Sequence, residues 1–284
     1  MARGVFNGRV SEPTDVDAMV TGALRAVGRA LLWVDSAVDR LVTGLEDVVE
    51  AAGQERATVL GVDACRAGWV GVMVSGGTAT ALVAPTIADL VAAVRTDHPD
   101  LAVVGIDIPI GLPDTAPRQA DLLARQRLPV GRKSSVFPAP TRVATAATTH
   151  AEASAANREA TGVGLSIQAF HLIPKILEVD AYVRSPRSCR IVEVHPEVSF
   201  AAMDAASVVP AKRTTAGVAS RERALRAAGI EPPSYVRGQG YAVDDLLDAC
   251  AAAWTAVRVA RGDAEILPDP PERFSDSLPA AIWV

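Results

Sequence analysis

Six carboxylates stand at places in this sequence where acids are unusual, and together they could bind a cation. Each one lies at or near the end of an apolar run that predicts a strand, or in the first turns of a predicted helix. The six are Asp63, Asp107, Glu193, Glu197, Asp245 and Asp248. A buried strand rarely carries an acid without a compensating interaction. Acids that meet in a half-buried place raise one another's pKa, and a divalent cation removes that repulsion.

Mg²⁺ or Mn²⁺ is the cofactor that these residue types predict. Hard cations prefer oxygen ligands, and the scarcity of cysteine and histidine near the acids argues against zinc. Asp245 and Asp248 are three residues apart, so they share one face of a helix. The alternative stays open for each acid alone, because aspartate is also common in turns and helix caps.

A second set of residues could bind a substrate. The segment 131–142 is basic, and its prolines predict that it forms no regular structure. Arginine binds phosphate well, so we expect this segment to border the acids and to contact phosphate. The candidates for substrate binding are Arg132, Lys133, Ser134, Arg142, Gln168, Lys175, His195 and Glu197. The alternatives are a solvated or salt-bridged surface, with Glu178 and Asp180 as partners of Lys175, and a hydrogen-bonded rather than proton-shuttling His195.

The elements that must position these residues follow from the hydrophobic pattern. Apolar and β-branched runs predict strands at 58–63, 69–75, 78–84, 101–109 and 190–197. Helices are predicted at 86–96, 117–127, 151–160, 166–183, 220–228 and 243–261. Together they predict an α/β fold: a mixed sheet of three antiparallel strands continued by parallel strands, with helices on both faces. Residues 57–284 form this domain, with a helical and loop insertion at about 114–187.

Residues 1–56 differ from the rest of the chain and predict an N-terminal helical extension. A heptad seam of nine large aliphatic residues runs from Val20 to Val48. A free helix would leave this seam in water, so we expect an antiparallel helical contact, either in a homo-oligomer or by docking on the main domain. A bent pair of helices is the alternative, since Gly22, Gly28 and Gly44 weaken one long helix. We expect the extension to take no part in catalysis.

Composition narrows the possible partners. The net charge of −5 gives no overall attraction to nucleic acid, so such contacts would need a local basic patch. Three scattered cysteines without a C-x-x-C pair argue against a disulfide framework and favour the cytoplasm. We see no secretory signal and no apolar run long enough for a membrane span, so no membrane contact is expected.

Six ordered motifs resemble those of domain-of-unknown-function family 429 (DUF429). They are Gly-Val-Asp-Ala-Cys-Arg-Ala-Gly-Trp (61–69), Ile-Asp-Ile-Pro-Ile-Gly-Leu-Pro (106–113), Ser-Ser-Val-Phe-Pro-Ala-Pro-Thr-Arg (134–142), Gly-Leu-Ser-Ile-Gln-Ala-Phe (164–170), Pro-Lys-Ile-Leu-Glu-Val-Asp (174–180) and Glu-Val-His-Pro-Glu (193–197). The resemblance covers about residues 58–262. The late acidic helix around Asp245 and Asp248 is also similar to that of Holliday-junction resolvases of the ribonuclease H-like superfamily.

The resemblance implies a ribonuclease H-like fold and a metal-dependent nuclease that acts on DNA or RNA. Two ions about 4 Å apart would activate the attacking water and stabilise the leaving oxygen. Asp63 would bridge the ions, with Asp107 and Asp245 or Asp248 as further ligands, and Glu193 is a further catalytic candidate. The alternatives are a non-catalytic nucleic-acid-binding or scaffold module and an actin-like phosphotransferase, although the latter needs two such lobes.

Overall fold

The computed structural model describes residues 19–25, 27, 38, 57–204 and 212–284. The chain divides into two compact units, Met1–Gly53 and Gln54–Val284. In the first unit the described residues are helical, and Val20, Leu24, Val27 and Val38 are at least half exposed. The rest of the heptad seam lies outside the described residues, so its contact stays a prediction. No described helix is both long and apolar enough to cross a bilayer.

The second unit is built on one mixed sheet of seven strands. The strands are β1 (Val59–Cys65), β2 (Gly68–Ser75), β3 (Thr78–Ala84), β4 (Val103–Ile106), β5 (Arg190–Val194), β6 (Ile266–Arg273) and β7 (Pro279–Trp283). Their order in the sheet is β3-β2-β1-β4-β5-β7-β6. β1, β2 and β3 pair antiparallel, whereas β4, β5 and β7 continue from β1 as parallel neighbours. The predicted mixed α/β sheet is therefore confirmed.

Helices cover both faces of the sheet. They are α1 (Ile87–Asp97), α2 (Gln119–Arg127), α3 (His150–Thr161), α4 (Ile167–Arg184), α5 (Pro196–Met203), α6 (Thr215–Ala227) and α7 (Val243–Arg261). Alternate strand residues face opposite sides of a sheet. Accordingly, Val59 and Val103 pack with α6 and α7 in one core, while Leu60 and Val104 pack with α1 and α4 in the other.

The strand predicted at 101–109 spans only Val103–Ile106, and three further predictions are wrong for identifiable reasons. The strand predicted at 190–197 ends at Val194, because Pro196 occupies the first position of α5, where proline is favoured. The segment predicted to be irregular begins with a 3₁₀ helix, Val130–Ser135. The helix predicted at 220–228 begins at Thr215, because the Thr214 hydroxyl caps it by accepting a hydrogen bond from the Gly217 backbone N–H.

Candidate metal centre

One cavity of about 600 Å³ is lined by all six predicted carboxylates, and the four aspartates among them interact with one another. Asp63 lies near the carboxyl end of β1, and Asp107 directly follows β4, its parallel neighbour. Asp245 and Asp248 come from the first two turns of α7. All four line the cavity, although they are spread over 186 positions of the sequence, from 63 to 248. The fold therefore brings three separate elements together at the cavity. We call the part of the lining formed by these four aspartates the acidic wall.

Two glycines explain how α7 comes so close to the strands. A Cβ atom at Gly61 would lie 2.0 Å from the backbone nitrogen of Ala253, and one at Gly105 would lie 2.7 Å from the carbonyl oxygen of Ala252. Each glycine precedes an acid by two residues, Asp63 in one strand and Asp107 in the other, so each acid shares the glycine's face of the sheet. The glycines thus admit the helix backbone on the same face that presents the acids.

The acids on this wall interact unfavourably with one another. Burial raises the pKa of Asp63 well above its usual value, and the charges of Asp107, Asp248 and Asp245 raise it further. Burial, followed by the charge of Asp248, raises the pKa of Asp107 to about 8. Burial also raises the pKa of Asp245, with the Asp244 and Asp248 charges adding to the effect. Positive charge brought to this wall would relieve the repulsion.

Two cationic side chains of the protein already pair with Asp248. Lys212 Nζ lies 2.8 Å from Oδ2 of Asp248, and Arg221 Nη1 lies 3.4 Å from Oδ1. Burial raises the pKa of Asp248, while these two cations lower it. Both oxygens of Asp248 therefore already have cationic partners.

Asp63, Asp107 and Asp245 keep carboxylate oxygens without such partners. Asp63 Oδ1 accepts a hydrogen bond from the Ala64 backbone N–H, and Asp245 Oδ2 accepts one from Ala242. Within the part of the chain that the structure describes, the Asp107 side chain receives no hydrogen bond and forms no salt bridge. These three carboxylates are the ones left to bind an added cation.

Glu193 is not available to bind a cation in this way, because both of its carboxylate oxygens take part in a buried ion pair. Arg118 donates to both of its oxygens at 2.7 Å, and the Ile110 backbone N–H donates to Oε2 at 2.7 Å. Arg118 also pairs with Asp121, and all three charged side chains are buried. Burial raises the pKa of Glu193, whereas Arg118 lowers it. The cluster is therefore a buried ion-pair network that lines the cavity.

Four of the predicted substrate-binding residues also line the cavity: Ser134, Gln168, His195 and Glu197. Burial lowers the pKa of His195, which favours a neutral ring, and its Nδ1 atom has no hydrogen-bond partner among the described residues. Glu197 pairs with Arg221 and lies 3.9 Å from Arg132 Nη1. The segment around Ser134 and Arg132 therefore borders the acidic wall.

The other four predicted substrate-binding residues, Arg132, Lys133, Arg142 and Lys175, do not line the cavity. Arg142 pairs with Asp180 and Asp276 at 2.9 and 2.7 Å, which is the salt-bridged alternative. Lys175 pairs with Glu178 at 3.3 Å, and its ammonium lies 4.4 Å from the centre of the Trp69 ring. Lys133 is exposed on the 3₁₀ helix.

The sequence did not reveal four residues that shape the cavity. Lys212 and Arg221 pair with Asp248, and Phe137 and His171 also line the cavity. Only Lys212 had a usable signal, because it is one of three lysines in the chain. The acid that each cation binds is 36 or 27 positions away, and no local pattern encodes such a pairing.

The donor set fits Mg²⁺ or Mn²⁺ by type, since it consists of carboxylate oxygens without cysteine. Over residues 57–204 and 212–284 and the few described N-terminal residues, no three histidine, cysteine, aspartate or glutamate side chains are placed to hold a metal ion. The carboxylates of Asp63, Asp107 and Asp245 thus face one cavity without forming a finished ligand shell.

Comparison with protein families gives one match. The family model described as "Protein of unknown function (DUF429)" matches residues 61–273. This region contains most of β1 and all of β4 and α7, and with them all four carboxylates of the acidic wall. Neither the curated proteins nor the solved structures that were compared match the chain.

Proposed function

The chain belongs to the DUF429 family, and we propose that it is a metal-dependent nuclease that hydrolyses phosphodiester bonds in DNA or RNA. The observation that carries this proposal is the convergence of Asp63, Asp107, Asp245 and Asp248 on one cavity, where the charges of the other three raise the pKa of Asp63 and the charge of Asp248 raises that of Asp107. The repulsion lowers the stability of the folded protein. Such an arrangement is expected where the acids serve to bind a cation.

We further propose that the sheet is of the ribonuclease H-like type. Three antiparallel strands, β3, β2 and β1, are continued by the parallel strands β4 and β5, as such a fold requires. The two acid-bearing strands are the central neighbours β1 and β4, and the acidic helix α7 packs on them. This order supports the fold and the function together.

Asp63, Asp107 and Asp245 would hold Mg²⁺ or Mn²⁺. When bound, the cation supplies charge that neutralises a phosphate and lowers the pKa of a water. Asp248 would stay paired with Lys212 and Arg221, so that it orients these cations toward the cavity. The neutral ring of His195, with its free Nδ1, would accept or donate a hydrogen bond to the substrate.

A second candidate, a non-catalytic nucleic-acid-binding module, is favoured by one observation. No described group of three acids or histidines is placed to hold a metal ion, and Asp248 is already neutralised within the chain. A binding module would need the cavity and its cations but no divalent ion.

A cleavage assay separates the two candidates. The full chain is incubated with labelled single-stranded, duplex and branched DNA and with single-stranded RNA, in Mn²⁺, Mg²⁺ or chelator. The nuclease proposal expects cleavage of at least one substrate that requires the cation and is lost in Asp63→Asn. Asp97→Asn, which changes an exposed acid at the end of α1, serves as the matched control and should cleave like the unmodified chain. Binding without cation-dependent cleavage would favour the module.

A further inference from the structure

One part of the cavity lining carries no acid, lysine or arginine, and we call it the uncharged wall. It consists of Ser134, Ser135, Phe137, Gln168, His171 and Leu172. The cavity lining therefore combines two chemically different sets of residues: the acidic wall suits a cation and a phosphate, and the uncharged wall suits a planar group that forms hydrogen bonds. A ligand that contacts both walls must combine these two kinds of group.

The first turns of α4 hold part of the uncharged wall in place. Gln168, His171 and Leu172 are three and four residues apart, so they share one face of the helix. The other face buries Ala169 and Ile173 in a small core, against which Phe137 also packs. Ser166 caps the helix by accepting a hydrogen bond from the Ala169 backbone N–H. The α4 part of this wall is thus formed by side chains on a capped helix that is packed against a core.

Gln168 can form hydrogen bonds with the edge of a planar group bound in the cavity. Its side-chain amide offers both a donor and an acceptor, and it forms no hydrogen bond with the rest of the described chain. The Phe137 ring lines the same wall and offers an apolar face. An aromatic face beside a side-chain amide is the combination by which proteins bind an unpaired nucleobase.

We infer that this wall is a nucleobase subsite, and that the substrate is single-stranded nucleic acid with one unpaired nucleotide in the cavity. The inference rests on the proposed function, which places a phosphate at the acidic wall. A volume of about 600 Å³ is that of a small-molecule site, and it holds one nucleotide but no base-paired duplex. Phe137 stacks on the base, and Gln168 forms hydrogen bonds with its edge.

The binding of three end-labelled probes tests the subsite. They are a thymidine 12-mer, an abasic strand of the same length and a blunt 12-base-pair duplex, titrated with the full chain in Ca²⁺ and followed by fluorescence anisotropy. We expect the thymidine strand to bind about tenfold more tightly than either other probe, since stacking contributes strongly for each base. Gln168→Ala and Phe137→Leu should each reduce this preference at least about threefold. Ile167→Ala, on the same turn but outside the cavity, should leave it unchanged.

The outcomes distinguish this inference from the proposed function. Equal binding of the thymidine and abasic strands, tighter binding of the duplex, or no binding of any probe would overturn the subsite. So would an unchanged preference in Gln168→Ala, which alters an exposed side chain and leaves folding intact. Base-dependent binding without cation-dependent cleavage would keep the subsite and refute the nuclease, whereas cleavage without base dependence would do the reverse.

Discussion

The ammonium of Lys212 lies 2.8 Å from a carboxylate oxygen of Asp248, at the acidic wall of the cavity. Asp248 is almost fully buried, and Asp63 on the same wall also favours the charged form of Lys212. Burial alone would lower the pKa of Lys212, yet these two acids raise it. Lys212 thus supplies part of the positive charge that the acids require.

Lys212 should therefore weaken the binding of any further cation. We expect Lys212→Met to increase Mn²⁺ affinity about fivefold, since a nearby unit charge is worth about 1 kcal/mol or more even in a polar medium. Calorimetric titration measures the change. Arg226→Met is the matched control, because Arg226 is a partly exposed cation outside the cavity that pairs with Glu222 and Glu231. Unchanged or weaker Mn²⁺ binding by Lys212→Met would refute this role.

Gly61 should be indispensable for the packing of α7 on the sheet. A methyl group there would meet the backbone nitrogen of Ala253 at 2.0 Å, so the helix that carries Asp245 and Asp248 would have to move. We expect Gly61→Ala to lower the free energy of unfolding by about 3 kcal/mol or more, measured by urea denaturation. Gly131→Ala, at a position with open space around it, should change it by less than about 0.5 kcal/mol. Similar stability of both variants would contradict the close approach.

Glu193 should contribute to stability rather than to cation binding. Removing its charge leaves the Arg118 guanidinium buried with Asp121 as its only acidic partner. We expect Glu193→Gln to lower the free energy of unfolding by about 3 kcal/mol. Glu265→Gln, which breaks the exposed pair with Arg127, should cost less than about 1 kcal/mol. A stable Glu193→Gln protein with weakened Mn²⁺ affinity would instead make Glu193 a ligand.

The stability of the metal-free protein should fall as pH rises. The pKa of Asp107 is raised to about 8, so the folded state holds its proton more tightly than the unfolded chain does. The resulting stabilisation is complete below pH 4 or so and is lost as pH rises toward about 8. An asparagine at this position carries no ionisable proton, so the Asp107→Asn variant does not become less stable through this titration. It should therefore melt about 2–4 °C above the unmodified protein at pH 8 in chelator. Asp97→Asn should follow the unmodified protein, and parallel pH profiles for all three would contradict the raised pKa.

The sequence was sufficient to predict the elements that carry the acids. Residues 243–261 were predicted as a helix with the bounds that α7 has, because alanines and an acidic first turn mark it strongly. The two strands that present Asp63 and Asp107 were likewise predicted from apolar runs, although β1 continues two residues past Asp63 and β4 is shorter than the predicted 101–109. Local patterns encode both features, so no tertiary information was needed.

The edge of the sheet and the buried ion pairs could not be predicted in this way. β6 contains Pro268, Pro270 and Pro271, which normally exclude a strand, and it forms because it lies at the sheet edge. Arg118 and Glu193 are 75 positions apart, and only the folded chain brings them together. Long-range pairing of charges has no periodic signal in a single sequence.

Calorimetric titration of the full chain with Mn²⁺ tests the central claim most directly, namely that Asp63 organises a cation site on the acidic wall. The account predicts saturable Mn²⁺ binding by the unmodified chain, weakened about tenfold or more in Asp63→Asn and unchanged in Asp97→Asn. Absence of Mn²⁺ binding by the folded, unmodified chain, or equal affinity in Asp63→Asn, would contradict it.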